Sequence, residues 1–190
     1  ARHLARFLSG TSSYKITYSL SQESSLDLSD YHYDGRYPTG FSDANFGVPK
    51  SVTANFIMFN NAALVWQVKQ QLQTSLSTVE SELYSLSELS TSIEFSVLLL
   101  EWLNICFPKT RMKCFCDNAG ALQNAKHPIV KAGLKHVAAR AFYVRDVIDK
   151  GIISVHKIAT DLNPADIGTK LLTSEKCGVF TGFIMNFQFK

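Results

Sequence analysis

The sequence predicts an α/β fold: a mixed sheet, three antiparallel strands and then parallel ones, flanked by helices. Three observations carry this. Three β-like runs come first, between residues 38 and 68, with turn residues between them. One long helical pattern follows, from about 78 to 104. Short strands then alternate with helical patterns, so the element order reads β-β-β-α-β-α-α-β-α.

Each element has a local cause. Residues 1–10 read as the end of a helix, because Leu4, Phe7 and Leu8 share a face and Gly10 stops it. Tyr14 to Leu20 alternates apolar and polar residues, as a strand does. Residues 21–36 are rich in Ser, Asp and Tyr and read as a loop. A strand over 38–46 is followed by Val52 to Phe59 and Ala63 to Val68, and Asn60-Asn61 between the last two signals a hairpin turn. In the long helix Val79, Leu83, Leu86, Ile93, Val97 and Leu100 mark the apolar face, and Ser77-Thr78-Val79-Glu80 forms a capping box at its start. Arg111 to Cys116 reads as a short strand, and 118–125 as a helix stopped near His127-Pro128. The next helix runs from about 131 to 149, with Leu134, Val137, Ala141, Val144 and Ile148 on one face and Gly151 after it. Ile152 to Ile158 is a strand, and Asn163-Pro164 opens the last helix with Pro at its first position.

Bulk properties bound the class. With 190 residues, 46% hydrophobic and 18% charged, the chain suits one globular domain with a sizeable core. The longest apolar stretch, Ile93 to Leu103, is broken by Glu94, Ser96 and Glu101 and is too short to span a membrane. The start carries no initiator Met and no signal-peptide pattern, and reads as a cut from a longer polypeptide. A net charge of +3 is too small to imply nucleic acid by itself. Cys106, Cys114, Cys116 and Cys177 show no zinc-binding spacing, and Cys114 and Cys116 are read as facing opposite sides of a strand. Reduced cysteines, and so a reducing compartment, are expected.

Four acidic residues lie in four distant settings: Asp43 in Gly40-Phe41-Ser42-Asp43-Ala44, Glu82 in Thr78-Val79-Glu80-Ser81-Glu82, Asp117 in Cys116-Asp117-Asn118, and Asp166 in Pro164-Ala165-Asp166. Two end β-like runs and two open helix-like runs, so one fold can gather all four. Gathered carboxylates repel one another unless a cation neutralises them, and oxygen ligands favour Mg²⁺ or Mn²⁺. Ordinary roles are also open: a turn residue for Asp43, a helix N-cap for Asp117, and a dipole-favoured third position for Asp166. Glu80 and Glu82 cannot both face one site, since residues two apart on a helix diverge by about 200°. The capping box occupies Glu80, so Glu82 is assigned to the site. The basic set is Lys69, Lys126, Lys131, Lys135, Arg140 and Arg145 with His127 and His136. It reads either as a solvated helix surface or as a phosphate-contact face. His156, inside a strand, is read as structural.

Together these segments resemble the ribonuclease H domain of copia-type LTR retrotransposon Pol polyproteins. Lys69-Gln70-Gln71 and Leu76-Ser77-Thr78-Val79-Glu80-Ser81-Glu82 resemble that family's K-K-Q and L-S-S-T-E-A-E at the same spacing. Gly40 to Ala44 resembles G-Y-S-D-A, and Cys116-Asp117-Asn118 with Ala121 resembles C-D-N-x-x-A. Leu134-Lys135-His136-Val137 with Arg140 resembles T-K-H-I-x-x-R, and Ala165-Asp166-Ile167 with Thr169-Lys170 resembles A-D-I-x-T-K. Arg6-Phe7-Leu8 with Gly10-Thr11 resembles the segment that joins the domain to reverse transcriptase. The match spans about residues 1–172.

The resemblance implies a ribonuclease H-like fold and endonucleolytic hydrolysis of the RNA strand of RNA–DNA hybrids during reverse transcription. It implies two Mg²⁺ (or Mn²⁺) ions, roughly 4 Å apart. By analogy Asp43 bridges both, Glu82 and Asp117 support the leaving-group side, and Asp166 supports the water side. Lys69, Lys135 and Arg140 would contact phosphates, and the hybrid would be recognised by shape, 2′-hydroxyls and phosphates. The implied partners are the hybrid and the reverse transcriptase domain of the same polyprotein, in a cytoplasmic virus-like particle or the nucleus. The implied division is a connecting segment over 1–36, the nuclease domain over 37–172 and a C-terminal tail over 173–190. Lys131, Gly133, Ala138 and Phe142 replace polar or charged residues usual in the family's helix, and Leu171 stands where Pro is usual. These departures keep open a catalytically silent, retroelement-derived module for nucleic-acid binding or protein interaction. A related enzyme of the same fold acting on DNA fits the carboxylates but not the Trp66–Leu86 stretch.

Overall fold

The chain's computed structural model describes residues 2–22, 26–105, 111–127 and 137–187. Among these residues five strands are formed: β1 (Thr39–Asn45), β2 (Val52–Phe59), β3 (Ala62–Gln70), β4 (Met112–Cys116) and β5 (Ile153–Lys157). They make one sheet in the order β3-β2-β1-β4-β5. The pairs β1–β2 and β2–β3 are antiparallel, and β1–β4 and β4–β5 are parallel. This is the mixed α/β sheet that the sequence predicts, and it is consistent with a ribonuclease H-like fold. Asn60 and Asn61 have φ of 50° and 61°, and Phe59 pairs with Ala62, so the hairpin is the two-residue left-handed turn that Asn tolerates.

The helices are α1 (Arg2–Gly10), α2 (Thr78–Trp102), α3 (Ala119–Lys126), α4 (Ala138–Asp149) and α5 (Ser174–Met185). Strand alternation sends neighbouring side chains to opposite faces, and two cores result. On one face Leu83, Leu86, Leu89 and Ile93 of α2 pack with Cys114, Cys116, Ile153 and Val155 of the sheet and with Ala121, Ala141 and Val144 of α3 and α4. On the other, Phe180 and Phe183 of α5 pack with Phe41, Phe56, Met58 and Phe115, joined by Leu26 and Leu28. Phe41 stacks on Phe115 at 5.3 Å and meets Phe183 edge-on at 5.7 Å.

Several expectations need correction. Tyr14 to Leu20 forms no strand. Thr17 N–H donates to the Met185 carbonyl and Ser19 N–H to the Asn60 carbonyl, each at 3.0 Å. Those acceptors belong to two different elements, so alternation alone produced no ladder. Cys114 and Cys116 share one face and one core, because positions two apart in a strand point the same way. The helix expected at Pro164 is a 3₁₀ turn, Pro164–Gly168. Residues 174–185, which carry no expected element, form α5, with the Thr173 hydroxyl accepting from Lys176 N–H at 3.3 Å. The helix expected over 131–149 is described from Ala138 on; Lys131, Leu134, Lys135 and His136 lie outside the described residues, as does Cys106. Among the described residues no helix is long and apolar enough to cross a membrane.

Candidate metal centre

The sheet register brings the first two carboxylates together. Ser42 of β1 lies beside Cys116 of the parallel strand β4, so the residues that follow, Asp43 and Asp117, sit level at the carboxyl ends of both strands. Asp117 is not the cap of α3. Asn118 takes that role, its side-chain oxygen accepting from Ala121 N–H at 3.0 Å.

Asp166 arrives on the 3₁₀ turn. The buried Asn163 donates from Nδ2 to the Ser42 carbonyl at 2.9 Å, while its Oδ1 accepts from Ala165 N–H at 3.3 Å. That side chain pins the turn to β1. Gly168 lets the turn lie flat on β2: a Cβ there would stand 2.6 Å from Ala54 Cβ and 2.7 Å from Val68 Cγ2. The result is one oxygen each from Asp43, Asp117 and Asp166, all within 4.8 Å of one another.

Glu82 comes from α2, on the opposite face of the sheet from that turn. Ser77 caps α2 by accepting from Glu80 N–H at 3.2 Å, and Glu80 Oε2 turns back to accept from Leu76 N–H at 2.7 Å. Glu80 is therefore a capping residue, and Glu82 points to the sheet end. Its carboxylate groups with Asp117 and the Cys116 thiol within the same 4.8 Å limit. Buried polar side chains set the register of α2 on the sheet. Ser85 Oγ lies 2.9 Å from the Asp43 carbonyl and 3.0 Å from Asn55 Oδ1, and accepts from the Ser42 hydroxyl at 3.1 Å. Asn55 Nδ2 donates to the Ser85 carbonyl at 3.1 Å. Such groups are costly unless paired, so this network admits few alternative positions for α2.

Electrostatics show what the cluster lacks. Burial, and then the charges of Asp43 and Asp117, push the Glu82 carboxyl up to about 9. The Ala44 N–H pulls it back only in part. Asp166 is also raised, first by burial and further by Asp43, against the hydrogen bond from Lys170. Burial is the larger cause in both, and added positive charge would favour the ionised forms. Lys170 Nζ supplies some, at 2.7 Å from Asp166, 3.3 Å from Asp43 and 3.8 Å from Asp117. The Thr169 hydroxyl donates to the other oxygen of Asp43. Lys176 Nζ stands 3.8 Å from Asp166 and over the Phe180 ring.

Cys116 is no ligand for a hard cation. Burial, and then the charge of Glu82, hold its thiol well above the ordinary range, so it stays protonated beside Glu82 Oε2 at 3.8 Å. The remaining donors are carboxylate oxygens. That chemistry fits a divalent cation of the magnesium or manganese kind, with Asp43, Asp117, Asp166 and Glu82 as the residues able to hold it.

The candidate phosphate contacts are less free. Lys69 pairs with Glu88 at 3.2 Å, Arg140 lies over the Tyr84 ring at 4.9 Å, and Lys135 is outside the described residues. His156 shares a 2.9 Å hydrogen bond with Ser154 and lies half-buried in β5. Lys170, Thr169, Asn163 and the Ser42–Ser85–Asn55 network are absent from the sequence-based site. Lys170 had a signal, its place four residues after Asp166; the network had none, since Ser and Asn in a helix or strand carry no pattern of their own.

No family model matches the chain. It is 29% identical over 141 residues to "Retrovirus-related Pol polyprotein from transposon TNT 1-94" of Nicotiana tabacum, a match covering 72% of this chain and 10% of the relative. It is 25% and 24% identical, over 176 residues each, to the corresponding polyproteins from transposons RE1 and RE2 of Arabidopsis thaliana, covering 90% of this chain and 11% of each relative. The chain thus spans about a tenth of the length of these curated relatives. Its homologues are copia-type retrovirus-related Pol polyproteins, and this similarity supports a retrotransposon Pol origin for the chain.

Proposed function

We propose that this chain is the ribonuclease H module of a retrotransposon Pol polyprotein, hydrolysing the RNA strand of RNA–DNA hybrids with the help of two Mg²⁺ or Mn²⁺ ions. One observation carries the reading. Asp43, Asp117 and Asp166 meet within 4.8 Å at the ends of adjacent parallel strands, with Glu82 beside Asp117. The order of the sequence motifs and the Pol relatives support it. In this reading residues 37–172 are the module, 1–36 join it to reverse transcriptase, and 173–190, with α5, follow it.

When bound, such cations activate water and neutralise charge on the leaving oxygen. The chain's own residues prepare for them. Asp43 is held from both sides, its backbone by Ser85 and its carboxylate by Thr169 and Lys170. Burial and the neighbouring carboxylates favour the protonated form of Glu82 in metal-free protein, and a bound cation would favour loss of that proton to solvent. Lys69, Lys135 and Arg140 are the proposed phosphate contacts. The Lys69–Glu88 pair is partly exposed, and such pairs stabilise by only about 0–1 kcal/mol, so phosphate can compete for Lys69.

A silent binding module is the second reading. It is favoured by the departures from the family pattern at Gly133, Ala138, Phe142 and Leu171. Incubating the protein with Mg²⁺ and a labelled RNA–DNA hybrid, beside duplex DNA and duplex RNA, separates the readings. Cleavage of the hybrid's RNA alone, lost in EDTA and in Asp43→Asn, is the expected result. Cleavage of duplex DNA would make the chain a DNA-directed nuclease. Salt-dependent hybrid binding without cleavage would make it the silent module.

A further inference from the structure

The acidic cluster already holds a cation of its own. Lys170 Nζ makes ion pairs with Asp166 Oδ1, Asp43 Oδ1 and Asp117 Oδ2, at 2.7, 3.3 and 3.8 Å. These are the three residues whose oxygens lie within 4.8 Å of one another. An ammonium is a compact charge with three N–H donors, so one group answers three carboxylates. The turn sets this up. Lys170 N–H donates to the Asp166 carbonyl at 2.9 Å, which starts the side chain four residues on from Asp166 and aims it back. Thr169 and Lys170 between them engage both oxygens of Asp43. The Lys170 side chain is 36% exposed, so its stem runs in from the rim and has open space to withdraw into. Among the described residues Lys176 reaches one carboxylate, Asp166, and is also engaged over Phe180, so it does not duplicate the role.

We propose that Lys170 is the resident counter-ion of this site: its ammonium neutralises the carboxylates in metal-free protein and must leave before a divalent cation can bind. The inference rests on the metal-site reading above. A cation held by oxygens of Asp43, Asp117 and Asp166 needs the space and the lone pairs that the ammonium uses, and two positive groups so close repel strongly. The exchange also discriminates by charge. A monovalent ion would bring no more charge than it displaced, whereas a divalent ion brings twice as much.

Two measurements test this. The first compares wild type with Lys170→Met by Mn²⁺ titration, read by calorimetry or electron paramagnetic resonance, and by thermal unfolding in EDTA. Lys170→Met should bind Mn²⁺ roughly tenfold more tightly or better, by the loss of a unit charge from the site. It should also unfold at a lower temperature in EDTA and gain more from added Mn²⁺. The second uses wild type alone, so it holds even if the variant folds poorly. Acylation of Lys170, followed by mass spectrometry, should speed up several-fold when Ca²⁺ is added, while the rate at the surface residue Lys150 stays constant. Unchanged Mn²⁺ affinity in Lys170→Met, or an acylation rate at Lys170 that Ca²⁺ does not alter, would overturn the inference. Asp43→Asn keeps the two levels apart. If wild type shows Asp43-dependent Mn²⁺ binding and Lys170→Met binds no tighter, this inference falls alone. If neither protein binds Mn²⁺ through Asp43, the metal-site reading falls with it.

Discussion

Replacing Glu82 with Gln probes the electrostatics of the cluster in metal-free protein. Glu82 is 5% exposed. Burial, then Asp43 and Asp117, raise its carboxyl from 4.5 to about 9. The unfolded chain lacks those neighbours, so there the group titrates near its ordinary value. A carboxyl raised by folding binds its proton more tightly in the folded state. Its contribution is therefore most favourable below the unfolded value, and stability is lost as pH rises from about 4.5 toward about 9. At about pH 7.5 the gap is roughly 3 units, and at about 1.4 kcal/mol per unit the upper bound is about 4 kcal/mol. Gln carries no charge and keeps an oxygen for the Ala44 N–H. In EDTA, Glu82→Gln should therefore be more stable than wild type by about 2–4 kcal/mol near pH 7.5, or roughly 5–12 °C in Tm for a chain of this size. Near pH 4.5 the two proteins should agree within about 0.5 kcal/mol. Urea and thermal unfolding at both pH values, followed by circular dichroism, give the comparison. An equal effect at both pH values, or a less stable variant near pH 7.5, would refute the reasoning.

Further outcomes follow from the same geometry. Glu82→Gln should abolish metal-dependent hydrolysis, whereas Glu80→Gln should leave it largely intact because Gln can still accept from Leu76 N–H; the reverse pattern in a cleavage assay would mean that the two roles are exchanged. Gly168→Ala puts a methyl 2.6 Å from Ala54 Cβ, so it should destabilise the fold by about 1–3 kcal/mol and weaken Mn²⁺ binding by shifting Asp166; calorimetry showing full affinity would contradict this. Replacing both Lys135 and Arg140 with Ala should lower the salt dependence of hybrid binding, titrated in Ca²⁺ to suppress cleavage, by up to about two ion equivalents, at roughly 0.9 per contact. An unchanged slope would remove both residues from the substrate path.

Much of the fold was legible because periodicity reports burial. The strands β1 to β5 and the helix α2 sit within a few residues of their expected positions, and Leu83, Leu86 and Ile93 are buried where the helical period puts them. Asn60-Asn61 announced its turn because few residues accept left-handed φ. Helix geometry sends Glu80 and Glu82 to different sides, and the structure gives the capping bond to Glu80. What failed has physical causes. Tyr14 to Leu20 alternates, but a strand needs a neighbouring edge, and its backbone meets Met185 and Asn60 instead. The helix α5 buries Phe180, Gly182, Phe183 and Ile184 while its remaining residues include Lys176, Thr181 and a glycine, a mixture with weak helical patterning. Site positioning was hidden for a different reason. Ser42, Asn55, Ser85 and Asn163 act through hydrogen bonds across 121 residues of sequence separation or less, and nothing local records such partners.

The four carboxylates are expected to form one cation site. Crystals of the protein soaked with Mn²⁺ and measured for anomalous scattering test this most directly. Anomalous peaks are expected at the ends of β1 and β4, with Asp43 as a shared ligand, Asp117, Asp166 and Glu82 completing the oxygen set, and Lys170 Nζ displaced from its present position. Coordination by Mg²⁺ in place of Mn²⁺ should show oxygens at about 2.0–2.1 Å. A peak that avoids Asp43, or no peak in crystals of protein that still cleaves the hybrid, would contradict it.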